Sequence, residues 1–286
     1  MAAKTQVLNV REHDRDSAGM TYVYPVVSRR AGGVSVGINL NVNNACNWRC
    51  IYCQVPQLTR GGPPPVDLDL LRRELEAFLA DVLRGAFMAT RVPEGARRLN
   101  DIALSGNGEP TSAREFGAVV DLIARVRASQ EVPLQVKTVL ITNGSLVHRP
   151  PVIAAIERLS RINGEVWFKL DRATDAGIQR INSTRTGIAR ARWNVTLSAA
   201  ACPTWIQTCL FMVDAKPPAE PELQAYLDFL RARLDEGVAL KGVLLYGLAR
   251  QSFQPEASRL APLPAAWLEA FAERIRALGL PVKVTP

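Results

Sequence analysis

From residue 34 onward the chain alternates short apolar strands with amphipathic helices, and this rhythm constrains the fold more than any other feature. Residues 34–42, 101–105, 136–142, 165–170, 204–213 and 240–246 read as strands, and 282–285 as a last edge strand. Between them, 67–84, 112–128, 151–159, 175–181, 218–234 and 265–278 read as helices. In the first of these, Leu68, Leu71, Leu75, Phe78, Leu79 and Val82 recur at helical spacing. Strand then helix, repeated about six times, predicts a parallel sheet with helices outside it. The expected fold is therefore α/β: a partial (β/α)6 barrel spanning residues 34–286, preceded by an N-terminal arm at 1–33. No internal repeat and no long linker divides it. Loops at the C-terminal ends of the strands are the expected seat of chemistry.

Composition narrows the setting. Of 286 residues, 48% are hydrophobic, enough for a sizeable buried core. No apolar run is long enough to span a bilayer, and the polar start of the chain lacks the apolar core of a secretory signal. A cytoplasmic location without membrane attachment is the expectation. The net charge is +8, carried mostly by arginine. Such a surface suits nucleic acid or another polyanion, and equally a plain solvated face.

Three of the five cysteines, Cys46, Cys50 and Cys53, fall within eight residues. Clustered thiols in a reducing compartment bind metal more readily than they form disulfides. Spacings of three and two residues let one loop present three thiolates to an iron–sulfur cube. A four-iron cube held by three cysteines keeps one iron open to another ligand. Zinc is the alternative, but a structural zinc site needs four ligands. The only histidines are His13 and His148, and one of them, or Cys202 or Cys209 from far along the chain, would have to close such a site.

The C-x3-C-x2-C spacing, with an aromatic before the last cysteine, resembles the signature of the radical S-adenosylmethionine (SAM) superfamily. The resemblance implies a [4Fe–4S] cluster on Cys46, Cys50 and Cys53, with SAM chelating the open iron. Reductive cleavage of SAM would then give a 5′-deoxyadenosyl radical that removes a hydrogen atom from a substrate. Tyr52 matches the aromatic found near the adenine. Ser105–Gly106–Asn107–Gly108–Glu109–Pro110 follows a strand and precedes a helix. It resembles the superfamily's GGEP motif, whose backbone and acid meet the amino group of SAM, with Asn107 as the departure from paired glycines. Thr142 and Asn143 end the next strand, where the resemblance implies contacts to the carboxylate or ribose of SAM. An Asn-Gly turn accounts for them equally well. Lys169 and Asp171 close the fourth strand, pointing either into the site or into a rim ion pair. Gln207 is a polar residue inside an apolar strand, expected to face the barrel or carry a hydrogen bond. Residues 244–248 are expected to run under the adenine.

The stretch Tyr24–Pro25–Val26–Val27–Ser28–Arg29–Arg30, followed by Gly37–Ile38–Asn39–Leu40, resembles a branch of Fe–S oxidoreductases related to wyosine-type tRNA-modifying radical SAM enzymes. That match covers roughly residues 24–175. It implies an RNA (tRNA) substrate and a reductant such as flavodoxin or ferredoxin. Arg29–Arg30 would bind an anionic substrate or brace the loop. Arg172, Arg180, Arg185, Arg190 and Arg192 collect between the fourth and fifth strands, as a phosphate-binding insertion or a solvated loop. Few aromatics are interleaved with them, so no stacking platform is evident. Two other functions stand beside RNA modification: chemistry on a protein or peptide, including radical activation of a partner enzyme, and a non-catalytic zinc module.

Overall fold

The computed structural model describes residues 8, 19–28 and 32–286. Arg29 and Arg30, and most of the 1–33 arm, lie outside the described residues. Eight strands form one sheet whose spatial order follows the chain: β1 (Val23–Ser28), β2 (Gly33–Ile38), β3 (Leu99–Leu104), β4 (Lys137–Thr142), β5 (Gly164–Lys169), β6 (Thr204–Leu210), β7 (Leu240–Gly247) and β8 (Val282–Thr285). From β2 to β8 all pairings are parallel, and β1 alone runs antiparallel to its neighbour. The sheet curls into a half-barrel with helices around it, as the alternation predicts. The helices are α1 (Leu68–Arg84), α2 (Phe87–Arg91), α3 (Phe116–Ser129), α4 (Pro150–Ser160), α5 (Asp175–Asn182), α6 (Ile188–Ala201), α7 (Glu220–Asp235) and α8 (Ala265–Arg276). Among the described residues no helix is long and apolar enough to cross a membrane.

Each strand carries two jobs because its side chains alternate between two faces. In β3, Ile102 and Leu104 pack into the core, while Asp101 and Ala103 line a cavity on the other face. In β5, Val166 and Phe168 face the helices, and Trp167 and Lys169 face the cavity. The core side receives Leu71, Leu75 and Leu79 from α1 and Val119 and Ile123 from α3. Burying each such side chain stabilises the fold by about 1.5–3 kcal/mol. Asp67 caps α1 by accepting from Leu70 N at 2.9 Å.

Four elements depart from the sequence expectation. Residues 23–28, read as part of the arm, form the antiparallel edge strand β1. Pro25 is compatible there because an edge strand can do without one ladder donor. Helix α6 replaces the arginine-bearing loop expected before β6. Its buried face is Ala191, Asn194, Val195 and Ser198, so half of it is polar and hydrophobic periodicity does not report it. The first and fifth strands are shorter than read, since the chain leaves the sheet after Ile38 and Leu210.

Candidate active site

The open face of the half-barrel encloses a cavity of about 900 Å³. Cys46, Cys50 and Cys53 all line it, together with Gly106, Asn107, Gly108, Glu109 and Asn143 from the ends of β3 and β4. Tyr52, Lys169, Gln207 and Tyr246 complete the wall deeper in. Three of the sequence candidates stand back from it: Pro110 and Thr142 are buried behind the wall, and Asp171 lies beneath the cysteine loop.

The cysteine loop is shaped by asparagines that stand in for regular ladder bonds. Asn39 Oδ1 accepts from Asn41 N at 3.1 Å and from Asn107 N at 3.0 Å, joining the start of the loop to the Gly106–Glu109 turn. Asn41 Nδ2 donates to Ala45 O at 2.8 Å, and Asn107 Nδ2 to Asn44 Oδ1 at 2.6 Å. This approach demands glycine. A Cβ on Gly108 would lie 2.1 Å from Ala45 O, and one on Gly106, at φ +154°, would lie 2.3 Å from Asn39 Oδ1.

Glu109 is buried and accepts four hydrogen bonds. Its Oε1 accepts from Thr111 N at 3.1 Å, Thr111 Oγ1 at 2.6 Å and Thr142 Oγ1 at 2.6 Å, and its Oε2 accepts from Asn143 N at 2.6 Å. The carboxylate therefore stitches the β3 turn to the β4 turn. Burial pushes its pKa up, and the Thr111, Thr142 and Asn143 donors oppose that rise. Asn143 in turn reaches the cysteine loop, donating from Nδ2 to Asn47 Oδ1 at 2.8 Å.

On the other side, Asp171 braces the loop from below. It accepts from Tyr52 OH at 2.5 Å, Asn182 Nδ2 at 2.8 Å and Cys209 N at 2.9 Å. Asn182, the last residue of α5, also approaches Cys50 Sγ at 3.2 Å. Ser183 then ends the helix in the left-handed conformation, φ 48°. Lys169 makes no rim ion pair with Asp171. Its Nζ donates to Tyr246 OH at 2.9 Å and sits 5.0 Å from the Tyr52 ring. Burial works against its charge, but Tyr246, Asp171 and Cys50 outweigh it and push the pKa up, leaving a fixed cation in the cavity wall. Tyr52 packs against Phe211 at 5.2 Å between ring centroids.

A strap after β7 was not legible as part of the site. Phe253 N donates to Cys53 O at 3.0 Å, and Ser252 Oγ donates to Ile51 O at 2.8 Å. Gln254 Nε2 reaches Val55 O at 3.2 Å. Arg49 and Glu256 close the strap with a bidentate ion pair at 2.9 and 2.7 Å. The expected run under an adenine, 244–248, contributes Tyr246 to the cavity wall. The Ser-Phe-Gln-Pro-Glu sequence of the strap has no motif signature, and only long-range pairing reveals it. Glu256→Gln is expected to cost about 0.5–1 kcal/mol, as befits a half-exposed pair. Iron release from reconstituted protein to a chelator should nevertheless quicken, because the strap then grips the cysteine loop more weakly.

The donor set suits a thiolate-ligated cluster. Without metal, burial pushes the Cys46 thiol to about 11 and the Cys50 thiol to about 12, so binding must displace protons. Among the described residues no three Cys, His, Asp or Glu side chains converge as a single metal ion would require. The three thiols open onto one shared volume of about 900 Å³. Asn107 Oδ1 and Gln207 Oε1 are buried acceptors without partners, and both residues line that volume. Buried polar atoms of this kind call for a bound donor.

The radical SAM superfamily model matches residues 40–213, well over half of the chain, and the chain belongs to that superfamily. It is thus an enzyme of the radical SAM class, whose cofactors are a [4Fe–4S] cluster and S-adenosylmethionine. A UPF0026 protein of Synechocystis is 27% identical over 169 residues, 58% of this chain and 54% of that one. A UPF0026 protein of Helicobacter pylori is 26% identical over 161 residues, 55% of this chain and 44% of that one. The chain therefore spans about half the length of the curated relatives it matches. Among solved structures, a radical SAM methyltransferase from Sphaerobacter thermophilus superposes with a TM-score of 0.56 at 17% identity, covering 88% of this chain and 66% of that one. A spore photoproduct lyase superposes with a TM-score of 0.53 at 12% identity, covering 84% and 73%. At those identities the likeness is one of fold.

Proposed function

We propose that Cys46, Cys50 and Cys53 would hold a [4Fe–4S] cluster and that SAM binds in the same cavity, where a substrate gives up a hydrogen atom. The observation that carries this reading is the opening of all three thiols, the Gly106–Glu109 turn and Asn143 onto one cavity. When bound, the cluster supplies the electron that cleaves the sulfonium of SAM to methionine and a 5′-deoxyadenosyl radical. The chain's own residues bind, orient and enclose. Asn107 Oδ1 is the unpartnered acceptor for the methionine ammonium of SAM. Gly106 and Gly108 bring the turn's backbone against the cysteine loop. Glu109 joins the two turns through Thr111, Thr142 and Asn143, and its Oε2, which accepts a single bond, keeps acceptor capacity beside the cavity. Tyr52 and Asp171 support the loop from beneath, and Lys169 sets a positive charge in the wall for an anionic group. Gln207 Oε1, deeper in the barrel, faces the substrate. The electron comes from a reductant protein of the flavodoxin or ferredoxin kind.

Asn107→Ala tests the assignment of the turn. It is expected to weaken SAM binding to the reconstituted protein about tenfold, the loss of one charge-assisted hydrogen bond. Equilibrium dialysis measures it, and undiminished affinity removes Asn107 from the SAM site.

A further inference from the structure

The surface beside the cavity mouth carries a charge that the catalytic reading does not use. No acidic residue occurs between Asp175 and Asp214, nor between Glu131 and Glu157. The fold brings these two stretches together, packing α6 against α4. Asn194 of α6 donates to Gly144 O at 2.7 Å and lies 3.4 Å from His148 Nδ1. Arg149, Arg185, Arg190 and Arg192, carried by these two stretches, are all exposed, and burial, with Arg190 and Arg149 close by, lowers the pKa of His148. Elsewhere many arginines are neutralised: Arg158 by Asp121, Arg180 by Glu222, Arg259 by Asp214 and Arg274 by Glu220. Arg172, grouped with this cluster in the sequence, is buried and makes its own contact with Glu222. Among the described residues the four exposed arginines make no ion pair.

An aromatic ring completes the face. Trp193, between Arg192 and the buried Asn194, is 58% exposed, a large apolar surface left in water by a helix whose other side packs normally. Guanidinium groups grip phosphate bidentately, and an exposed indole offers a base a stacking partner at no cost in sequence preference. Ring and guanidinium groups side by side match the two chemistries of a nucleic-acid strand, base and phosphate. The face also adjoins the site at both ends. Arg185 follows Asn182, which touches Cys50, and Gly144 follows Asn143, which lines the cavity.

We propose that Arg149, Arg185, Arg190 and Arg192 around Trp193 form a docking face for a single-stranded nucleic acid, with phosphates on the guanidinium groups and a base on the indole, delivering a neighbouring nucleotide to the cavity. The delivery rests on the radical SAM reading given above, whereas the docking itself does not.

Fluorescence anisotropy with a labelled oligouridylate of about a dozen nucleotides, a length within the usual site sizes, tests the face on the full chain. Affinity should fall steeply as salt rises. Trp193→Ala should weaken binding at fixed salt roughly 5- to 150-fold, the range of one lost stacking contact. R185Q/R190Q/R192Q should lower the slope of log K against log salt by about 2, from roughly 0.7 for each phosphate contact on a single strand. The matching arginine-to-lysine variant should keep most of that slope. Unchanged affinity in Trp193→Ala and an unchanged slope in the glutamine variant overturn the proposal. So does a glutamine variant that binds oligouridylate normally but accepts electrons more slowly from an acidic flavoprotein, which makes the face a protein-docking surface. Reductive SAM cleavage by the wild type without nucleic acid tests the catalytic reading separately. Retained cleavage without oligonucleotide binding overturns the docking face alone, and retained binding without cleavage overturns the catalytic reading alone.

Discussion

Cys50→Ala is expected to leave a folded protein that no longer takes up a four-iron cluster. Cys50 lies in the middle of the loop, and its sulfur is held toward Asn182 by a 3.2 Å contact that alanine gives up at little cost. The fold does not depend on that thiol, because the loop stays pinned through Ile51 N to Ile181 O at 2.9 Å and through the strap on Cys53. A cube with two thiolates from one loop has two irons without protein ligands. The remaining cysteines offer no replacement: Cys202 is buried in the main core and Cys209 is fully buried behind Asp171. Iron and sulfide content after anaerobic reconstitution should therefore fall from about four of each per chain to near background, the full complement of a [4Fe–4S] cluster. The far-ultraviolet circular dichroism and melting temperature should stay close to those of metal-free wild type.

Glu109→Ala is expected to damage both stability and cofactor binding. Four donors from Thr111, Thr142 and Asn143 lose their acceptor at a buried position in the cavity wall. At about 1–3 kcal/mol for each buried group left unpaired, and with part of the loss recovered by rearrangement, the cost is about 3–5 kcal/mol. The turns ending β3 and β4 also lose their link, so SAM affinity should fall more than tenfold. Glu109→Gln keeps one acceptor but sets an amide N–H against a donor, and should fall between the two. Its pH dependence has a definite sign. Because burial raises the Glu109 pKa in the folded state, the proton is bound more tightly there than in the unfolded chain. The contribution of Glu109 to stability is then fully present below the ordinary carboxylate range and is lost as pH rises through the raised value. The stability gap between wild type and Glu109→Gln should narrow over that window in urea titrations.

How much of this was legible in the sequence depends on the kind of signal each element carries. Strands such as β3 and β5 announce themselves because one face is uniformly apolar, and the cysteine spacing announces a metal because few other chemistries crowd thiols so closely. Helix α6 was missed because its buried positions include Asn194 and Ser198, which satisfy hydrogen bonds rather than fill apolar volume. Strand β1 was missed because Pro25 and the arm-like context hid an edge strand that only its pairing with β2 defines. Glu109 was legible as an acid beside a glycine turn but not in its contacts. A sequence shows a carboxylate beside a glycine turn, whereas only coordinates show that Thr142 and Asn143, read as separate SAM contacts, spend donors on it. Lys169 and Asp171 divide for the same reason, one entering the cavity wall and the other supporting Tyr52. The strap at Ser252–Glu256 lies about 200 residues from the loop it holds, beyond the reach of any local pattern.

The central claim, that three thiols of one loop equip this cavity to cleave SAM, is tested most directly by product analysis. Anaerobically reconstituted protein, given SAM and dithionite, should release 5′-deoxyadenosine in amounts that exceed the enzyme present, and each of Cys46→Ala, Cys50→Ala and Cys53→Ala should release none above background. Formation of 5′-deoxyadenosine by any of the three variants at the wild-type rate, or its absence from wild type that holds four irons per chain, would contradict the account.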